Sequence, residues 1–350
     1  VIFGIRVFAI GGGTGLSALL AGLKRYVDPP PAGAAGGEDS LYFADLAAMV
    51  TVTDDGGSSG RLRDEFRMLA PGDIRSCLVA LSADESLLSS LFQYRFEGGG
   101  DLGGHNFGNL FLTALTSVTG DFNEAVRAAS HVLAIRGRIF PSTSESVSLV
   151  AELLDGREVR GETRISKSDA RIRRVHLDPP TARPPEEALQ ALRHADLVVI
   201  GPGSLYTSLI PNLLAPGLSE SLLRTNAEVV FVSNVMTQPG ETTGYDLSDH
   251  IQALLDHCPG LRLSYVLAND EPIPSATLAR YQEEGSVPVA LNAPDDLPCP
   301  LVLEPLLQQG PIGTPGMTRT IVRHDGVKTA RALQKLFHQV RVGPGEERLR

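Results

Sequence analysis

The stretch RVFAIGGGTGLSALLAGL, residues 6–23, contains the local pattern on which the fold turns. An apolar run ends at Ile10, four glycines and a threonine follow through Gly15, and Leu16, Leu19, Leu20 and Leu23 then recur at helical spacing. Such an order predicts a buried strand, a tight turn and a helix, the opening of a βα unit. Glycine at Gly12, Gly13 and Gly15 lets backbone approach an anion closely, and Thr14 adds a hydroxyl beside the amides of a helix N-terminus. The loop lacks the Lys-Ser/Thr pair of a Walker A motif. It also breaks the dinucleotide fingerprint, because G-x-G-x-x-G started at Gly11 or Gly13 meets Leu16 or Ala18 where its last glycine belongs.

Working outward, the same grammar repeats. Ala47–Thr53 reads as a strand running into Asp54-Asp55-Gly56-Gly57-Ser58-Ser59-Gly60, Asp196–Ile200 runs into Gly201-Pro202-Gly203-Ser204, and Val229–Asn234 runs into a polar loop reaching Tyr245. Leu263–Ala268 is a further strand, and helices are expected at Ala188–His194, Leu218–Arg224, Ser248–His257 and Lys328–Gln339. The expected architecture is a single α/β, Rossmann-like domain over 1–350, a mostly parallel sheet with helices on both faces. Helices predicted at Pro71–Ser82, Asp84–Phe96, Asn106–Thr116 and Phe122–Ile135 make a helical insertion or cap over 70–136. Val147–Leu154 and Val159–Ile165 flank the turn signal Asp155-Gly156 and, with Arg173–Leu177, suggest a small antiparallel β extension over 145–178. The Pro/Gly/Ala-rich segment 27–40 reads as a flexible loop, and Pro272–Pro315 as an irregular tail.

With 350 residues and 42% hydrophobic side chains the chain can bury a full core. Its 31 Lys and Arg against 41 Asp and Glu give a net charge of −10, which argues against a reader of DNA or RNA backbones, although a local anion pocket remains compatible. Cys77, Cys258 and Cys299 are scattered and odd in number, against a disulfide framework or zinc site and in keeping with a reducing, cytoplasmic setting. No apolar run approaches the roughly 20 residues of a membrane span. A homodimer is the default expectation for assembly.

Several side chains are candidates for chemistry. Asp54 and Asp55 at a strand end could bind hydrated Mg2+ carried by phosphates, accept from ribose hydroxyls, or act as a base. Arg61 and Arg63 could balance a phosphate or pair with Asp64 and Glu65. Asp73, in PGDIRS, is a helix cap or a site residue. In GGHNFGN, residues 103–109, His105 could serve as acid, base or phosphate donor, with Asn106 and Asn109 beside it. Gly201, Gly203 and Ser204 repeat the logic of the first glycine loop, and Asn234, Thr237, Gln238, Glu241 and Tyr245 cluster at the end of the next strand. The catalytic candidates are Asp54, Asp55 and His105, and the metal candidates Asp54 and Asp55.

Taken together, GGGTGLSALLAGL, VTVTDDGGSSGRLR, PGDIRS, GGHNFGN, IGPGSLYTSLIPNLL and NVMTQPGET resemble the bacterial gluconeogenesis-factor family, part of the superfamily of the 2-phospho-L-lactate transferase of deazaflavin cofactor synthesis. The resemblance runs from about Arg6 to about Gln339, and the segment 27–40 is its main departure. It implies a Rossmann-like core, binding of UDP-sugars such as UDP-N-acetylglucosamine, and a role in gluconeogenic growth, cell shape and envelope precursor supply. On this likeness Gly12, Gly13, Thr14 and Gly15 fall at the nucleotide loop, Asp54 and Asp55 at the acidic pair of the transferase branch, and Asn234 through Tyr245 near the sugar or uracil.

The preferred reading is a nucleotide-sugar-binding regulatory protein whose ligand-bound state a protein partner reads. The alternative is a Mg2+-dependent transferase using a nucleotide diphosphate (GDP-type) donor, with Asp54 and Asp55 organising the metal and His105 or an Asp receiving the acceptor's proton. A nicotinamide-dependent oxidoreductase is disfavoured by the broken fingerprint, since Glu38 and Asp39, the nearest acidic residues downstream, lie in the biased loop.

Overall fold

Alternate side chains of the first strand point into two different cores, which is why its sequence is apolar throughout rather than alternating. In the computed structural model, which describes residues 3–29, 41–83, 87–291, 296–308 and 321–342, Phe8 and Ile10 join one buried cluster while Val7 and Ala9 join another. Most of the predicted loop 27–40 thus lies outside the described residues. Among the described residues the main sheet contains seven strands: β1 (Phe3–Gly11), β2 (Leu41–Val50) and β3 (Arg138–Pro141), then, after a second, smaller sheet, β7 (Leu197–Ile200), β8 (Glu228–Val232), β9 (Tyr265–Asn269) and β10 (Leu301–Glu304). Their spatial order is β10-β9-β8-β7-β1-β2-β3, and every pairing is parallel.

Thirteen α-helices connect the strands among the described residues. The first half holds α1 (Gly13–Leu23), α2 (Gly57–Phe66), α3 (Gly72–Leu81), α4 (Leu87–Gln93), α5 (Phe107–Thr119) and α6 (Phe122–Val132). The second half holds α7 (Glu162–Ile165), α8 (Glu186–Arg193), α9 (Ile210–Leu213), α10 (Leu218–Leu223), α11 (Leu247–His257), α12 (Ser275–Glu283) and α13 (Gly326–Val342). One face of the sheet is covered by α1, α3 and α13 through Leu16, Leu20, Ile74, Leu78 and Leu333. The other is covered by α8 and α11 through Ala188, Leu192, Ile251 and Leu254. Each such fully buried aliphatic side chain stabilises by roughly 1.5–3 kcal/mol relative to exposure. Helices α1 and α13 touch backbone to backbone, since a Cβ on Gly22 would lie 1.8 Å from the Gly326 carbonyl oxygen.

The second sheet is the antiparallel extension, in the order β5 (Glu158–Arg160), β4 (Ser148–Leu153), β6 (Ile172–Asp178). Its hairpin turns at Gly156, whose φ of 88° suits glycine. The expected strand Val159–Ile165 ends earlier than its composition suggests. Only Glu158–Arg160 pair, and Gly161, at φ 95°, turns the chain into α7. The tail is also more regular than expected, because Ser275–Glu283 is helical and Leu301–Glu304 pairs with β9. Both β3 and β10 are four-residue edge strands with one partner each, too short to carry a readable pattern.

Candidate functional site

The strand order reverses between β1 and β7, and a parallel sheet opens a crevice at that point beyond its strand C-termini. Both glycine loops arrive there. Gly12 caps α1 with extended backbone, while Gly13 enters the helix at φ 60°, so the first-turn amides face the crevice. Across from them Gly201, at φ 87°, leads into Gly203 and Ser204 and then a π-helical turn at Leu205–Leu209. The loops are in direct contact. A Cβ on Gly15 would lie 2.4 Å from the Pro202 carbonyl oxygen, so only glycine permits this approach.

Between the loops lies a cavity of about 390 Å³, of the size that small-molecule sites occupy. Gly12, Gly13, Thr14 and Gly15 form one wall and Gly203, Ser204 and Ser208 another, with Asn234, Thr237 and Gln238 completing the rim from the loop after β8. Two side-chain acceptors on that rim have no protein partner among the described residues. Asn234 donates from Nδ2 to the Gly203 carbonyl (2.9 Å) and Gln238 from Nε2 to Ser204 Oγ (2.9 Å), which orients both amides, and their oxygens Oδ1 and Oε1 are buried without a donor. Buried acceptors left open in this way call for a donor from outside the chain. Thr237 is nearly inaccessible and ties the loop to Val287, donating its backbone N–H to the Val287 carbonyl and accepting the Val287 N–H at Oγ1.

A carboxylate group stands beside the first loop. Asp73 does not cap its own helix. It reaches across 60 residues of chain to accept the Gly13 N–H at 2.6 Å, and burial with Asp54 nearby pushes its carboxyl up to about 6. Glu162, at the start of α7, is pushed up to about 9 by burial and by Asp54, Asp73, Glu241 and Asp55, and its Oε2 is buried without a partner among the described residues. Asp54 itself accepts from the Gly56 N–H (2.8 Å). Among the described residues no group of three or more His, Cys, Asp or Glu side chains is placed to hold a metal ion.

The other candidates have different surroundings. The Oδ1 of Asp55 accepts both the backbone N–H (2.9 Å) and the hydroxyl (2.7 Å) of Thr163, next to Glu162, so Asp55 fastens the loop to the β extension. Arg61 donates to the Gly103 carbonyl, and Arg63 to the carbonyls of Thr53 and Val147, so neither pairs with Asp64 or Glu65. His105, Asn106 and Asn109 gather around Ser58 Oγ, which binds His105 Nδ1 at 3.1 Å and accepts from the Asn106 N–H and Asn109 Nδ2. Asn106 also caps α5. This cluster joins α2 to α5 and does not line the cavity, and burial with Arg61 nearby lowers His105 below its ordinary range. Glu241 accepts from the Tyr206 N–H and Thr207 Oγ1, which holds the π-helical turn. The Tyr245 hydroxyl bonds that of Tyr206 at 2.8 Å with Arg171 over its ring, again off the cavity.

The far wall of the cavity comes from residues that local sequence does not single out. Tyr281, Ser286, Arg323 and His324 close it, contributed by α12, the loop after it and the approach to α13. Asp325, which accepts the Val327 and Lys328 N–H groups ahead of a helical run, is the local cue that a helix begins there. His324 is buried, with the Ser233 carbonyl as its hydrogen-bond partner, and burial pushes it down to about 4 while Nε2 has no partner. No helix among the described residues is long and apolar enough to cross a membrane.

Known proteins resemble this chain in sequence and fold. Residues 7–307 match the protein family described as 2-phospho-L-lactate transferase CofD. The chain is 43% identical over 334 residues to the gluconeogenesis factor of Bacillus subtilis, covering 95% of this chain and 98% of that protein. It is 46% identical over 339 residues to a putative gluconeogenesis factor of Nostoc sp., covering 95% and 69%. The crystal structure of a UPF0052 family member from Bacillus halodurans superposes with a TM-score of 0.84 at 42% identity, covering 94% of this chain and 98% of that one. With glycine loops meeting at the switch point of a parallel sheet and identity sustained across almost its whole length, the chain belongs to the gluconeogenesis factor family, within the CofD-like superfamily.

Proposed function

We propose that the crevice binds a nucleotide sugar of the UDP-N-acetylglucosamine type and that the chain is a regulatory factor, serving gluconeogenic growth and cell morphogenesis, whose occupied state a partner protein reads. The observation that carries this reading is the pairing of two glycine loops, suited to a diphosphate, with the open acceptors Asn234 Oδ1 and Gln238 Oε1, suited to the hydroxyl and N–H donors of a sugar or base. Thr14 and the first-turn amides of α1 beyond Gly13, whose N–H is bonded to Asp73, hold the phosphates. Calorimetric titration with UDP-N-acetylglucosamine, with and without Mg2+ and with NAD and GDP in parallel, tests it. Saturable binding is expected, weakened about tenfold by Gln238→Leu, which removes one charge-neutral hydrogen bond to the ligand. Absence of UDP-sugar binding, with tight Mg2+-dependent GDP binding instead, would sink the reading.

The second reading, a transferase using a nucleotide diphosphate donor, is favoured by the carboxylates beside the loop. Mg2+ is commonly held by one or two carboxylates together with ligand phosphates. Asp54 and Asp73 fit that sparse donor set, each with one oxygen bonded to a backbone N–H, and Asp55 has its Oδ1 committed to Thr163. Bound there, the ion would neutralise phosphate charge. On this reading Glu162, protonated at neutral pH, would hold a proton beside the phosphates.

A further inference from the structure

Behind the first glycine loop, between α1, α3 and the start of α13, lies a second cavity of about 540 Å³. Its lining is cationic in a chain whose net charge is −10. Lys24, Arg25, Arg75 and Arg323 face it against one carboxylate, Asp325, which is already occupied by the Val327 and Lys328 N–H groups. Among the described residues Arg25, Arg75 and Arg323 form no ion pair.

Arg75 is the telling residue. Its stem packs against the backbone of Gly108, where a Cβ would lie 2.9 Å from the arginine Cγ and Cδ, so the side chain is held in place. Among the described residues its head donates only to Ser76 Oγ (3.0 Å), and Nε is buried without an acceptor. Burial and the neighbouring Arg95 pull the guanidinium below its ordinary range. A guanidinium so placed destabilises the empty protein, and an anion in the cavity would offset that. His324, more than nine-tenths buried and with no partner for Nε2 among the described residues, lines the same space.

We propose that this second cavity binds a separate phosphate-bearing small molecule, with Arg75 and Arg323 as its charge partners. Thr14, Ala18, Arg323 and His324 line both cavities, so occupancy of one alters the wall of the other.

Inorganic pyrophosphate is a suitable probe, titrated calorimetrically into the full chain. Saturable binding is expected, at least tenfold weaker in Arg75→Gln, partly restored in Arg75→Lys and unaffected by Gln238→Leu. Thermal melts add a readout that a merely structural arginine would not give. Ligand-free Arg75→Gln should melt at or above the wild-type temperature, while pyrophosphate should raise the melting temperature of wild type more than that of Arg75→Gln. No saturable binding, or equal affinity in Arg75→Gln, would overturn the proposal. Pre-loading with UDP-N-acetylglucosamine decides whether the ligand is separate. Retained pyrophosphate binding supports a second molecule, and its loss would assign the cavity to part of the first ligand and overturn the proposal. If the UDP-sugar itself fails to bind, the Arg75 comparison still decides.

Discussion

Replacing Gly15 with alanine probes whether contact between the two glycine loops builds the crevice. The added Cβ would sit 2.4 Å from the Pro202 carbonyl oxygen and 2.8 Å from its carbon, where ordinary contact begins at 3.4 Å. Both obstacles are backbone, so no side-chain rotation relieves them, and the loops must separate by about 1 Å, a displacement that can lower function up to a hundredfold where geometry matters. Overpacking of this kind costs about 1–3 kcal/mol of stability. Urea unfolding should therefore show a lower midpoint at unchanged slope, and nucleotide-sugar affinity should fall about tenfold to a hundredfold. Gly99→Ala is the control, since a Cβ there meets nothing within 4 Å and no positive φ opposes it. If Gly15→Ala unfolds and binds like Gly99→Ala, the loops do not depend on their contact and the account of the crevice fails.

Two further perturbations separate the carboxylates by role. The Glu162 carboxyl is raised from 4.5 to about 9, so its contribution to stability is complete below about pH 4.5 and is lost as pH climbs toward 9. Glu162→Gln should match wild type at pH 4.5 and become progressively more stable above it, by up to about 1.4 kcal/mol per pH unit. Parallel stability curves between pH 5 and 9 would contradict the burial assigned to this group. Asp55→Ala removes the acceptor for two bonds from Thr163 and should cost about 2 kcal/mol of stability. Its nucleotide-sugar affinity should stay within a factor of about three, and a hundredfold loss at unchanged stability would return Asp55 to the ligand.

Local sequence determined a good deal of this protein. The apolar runs ending at Ile10, Ile200 and Val232 announced parallel strands buried on both faces, and the glycines after the first two placed turns at one edge of the sheet. Those are short-range properties, since strand propensity, glycine conformations and helical spacing act within a dozen residues. The division of labour among polar residues was decided only by tertiary structure. Asp54 and Asp55 are adjacent in sequence, yet Asp55 meets Thr163, 108 residues away, while Asp54 stays beside Asp73 and Glu162. Asp73 reads locally as a cap for its own helix but accepts from Gly13 on another. Arg323 and His324 gave no motif at all, because they reach the cavity through the docking of α13 on α1, which depends on two glycines more than 300 residues apart, Gly22 and Gly326. A polar side chain takes its role from whichever partner the packed core brings within about 3 Å, and sequence spacing carries no record of that distance.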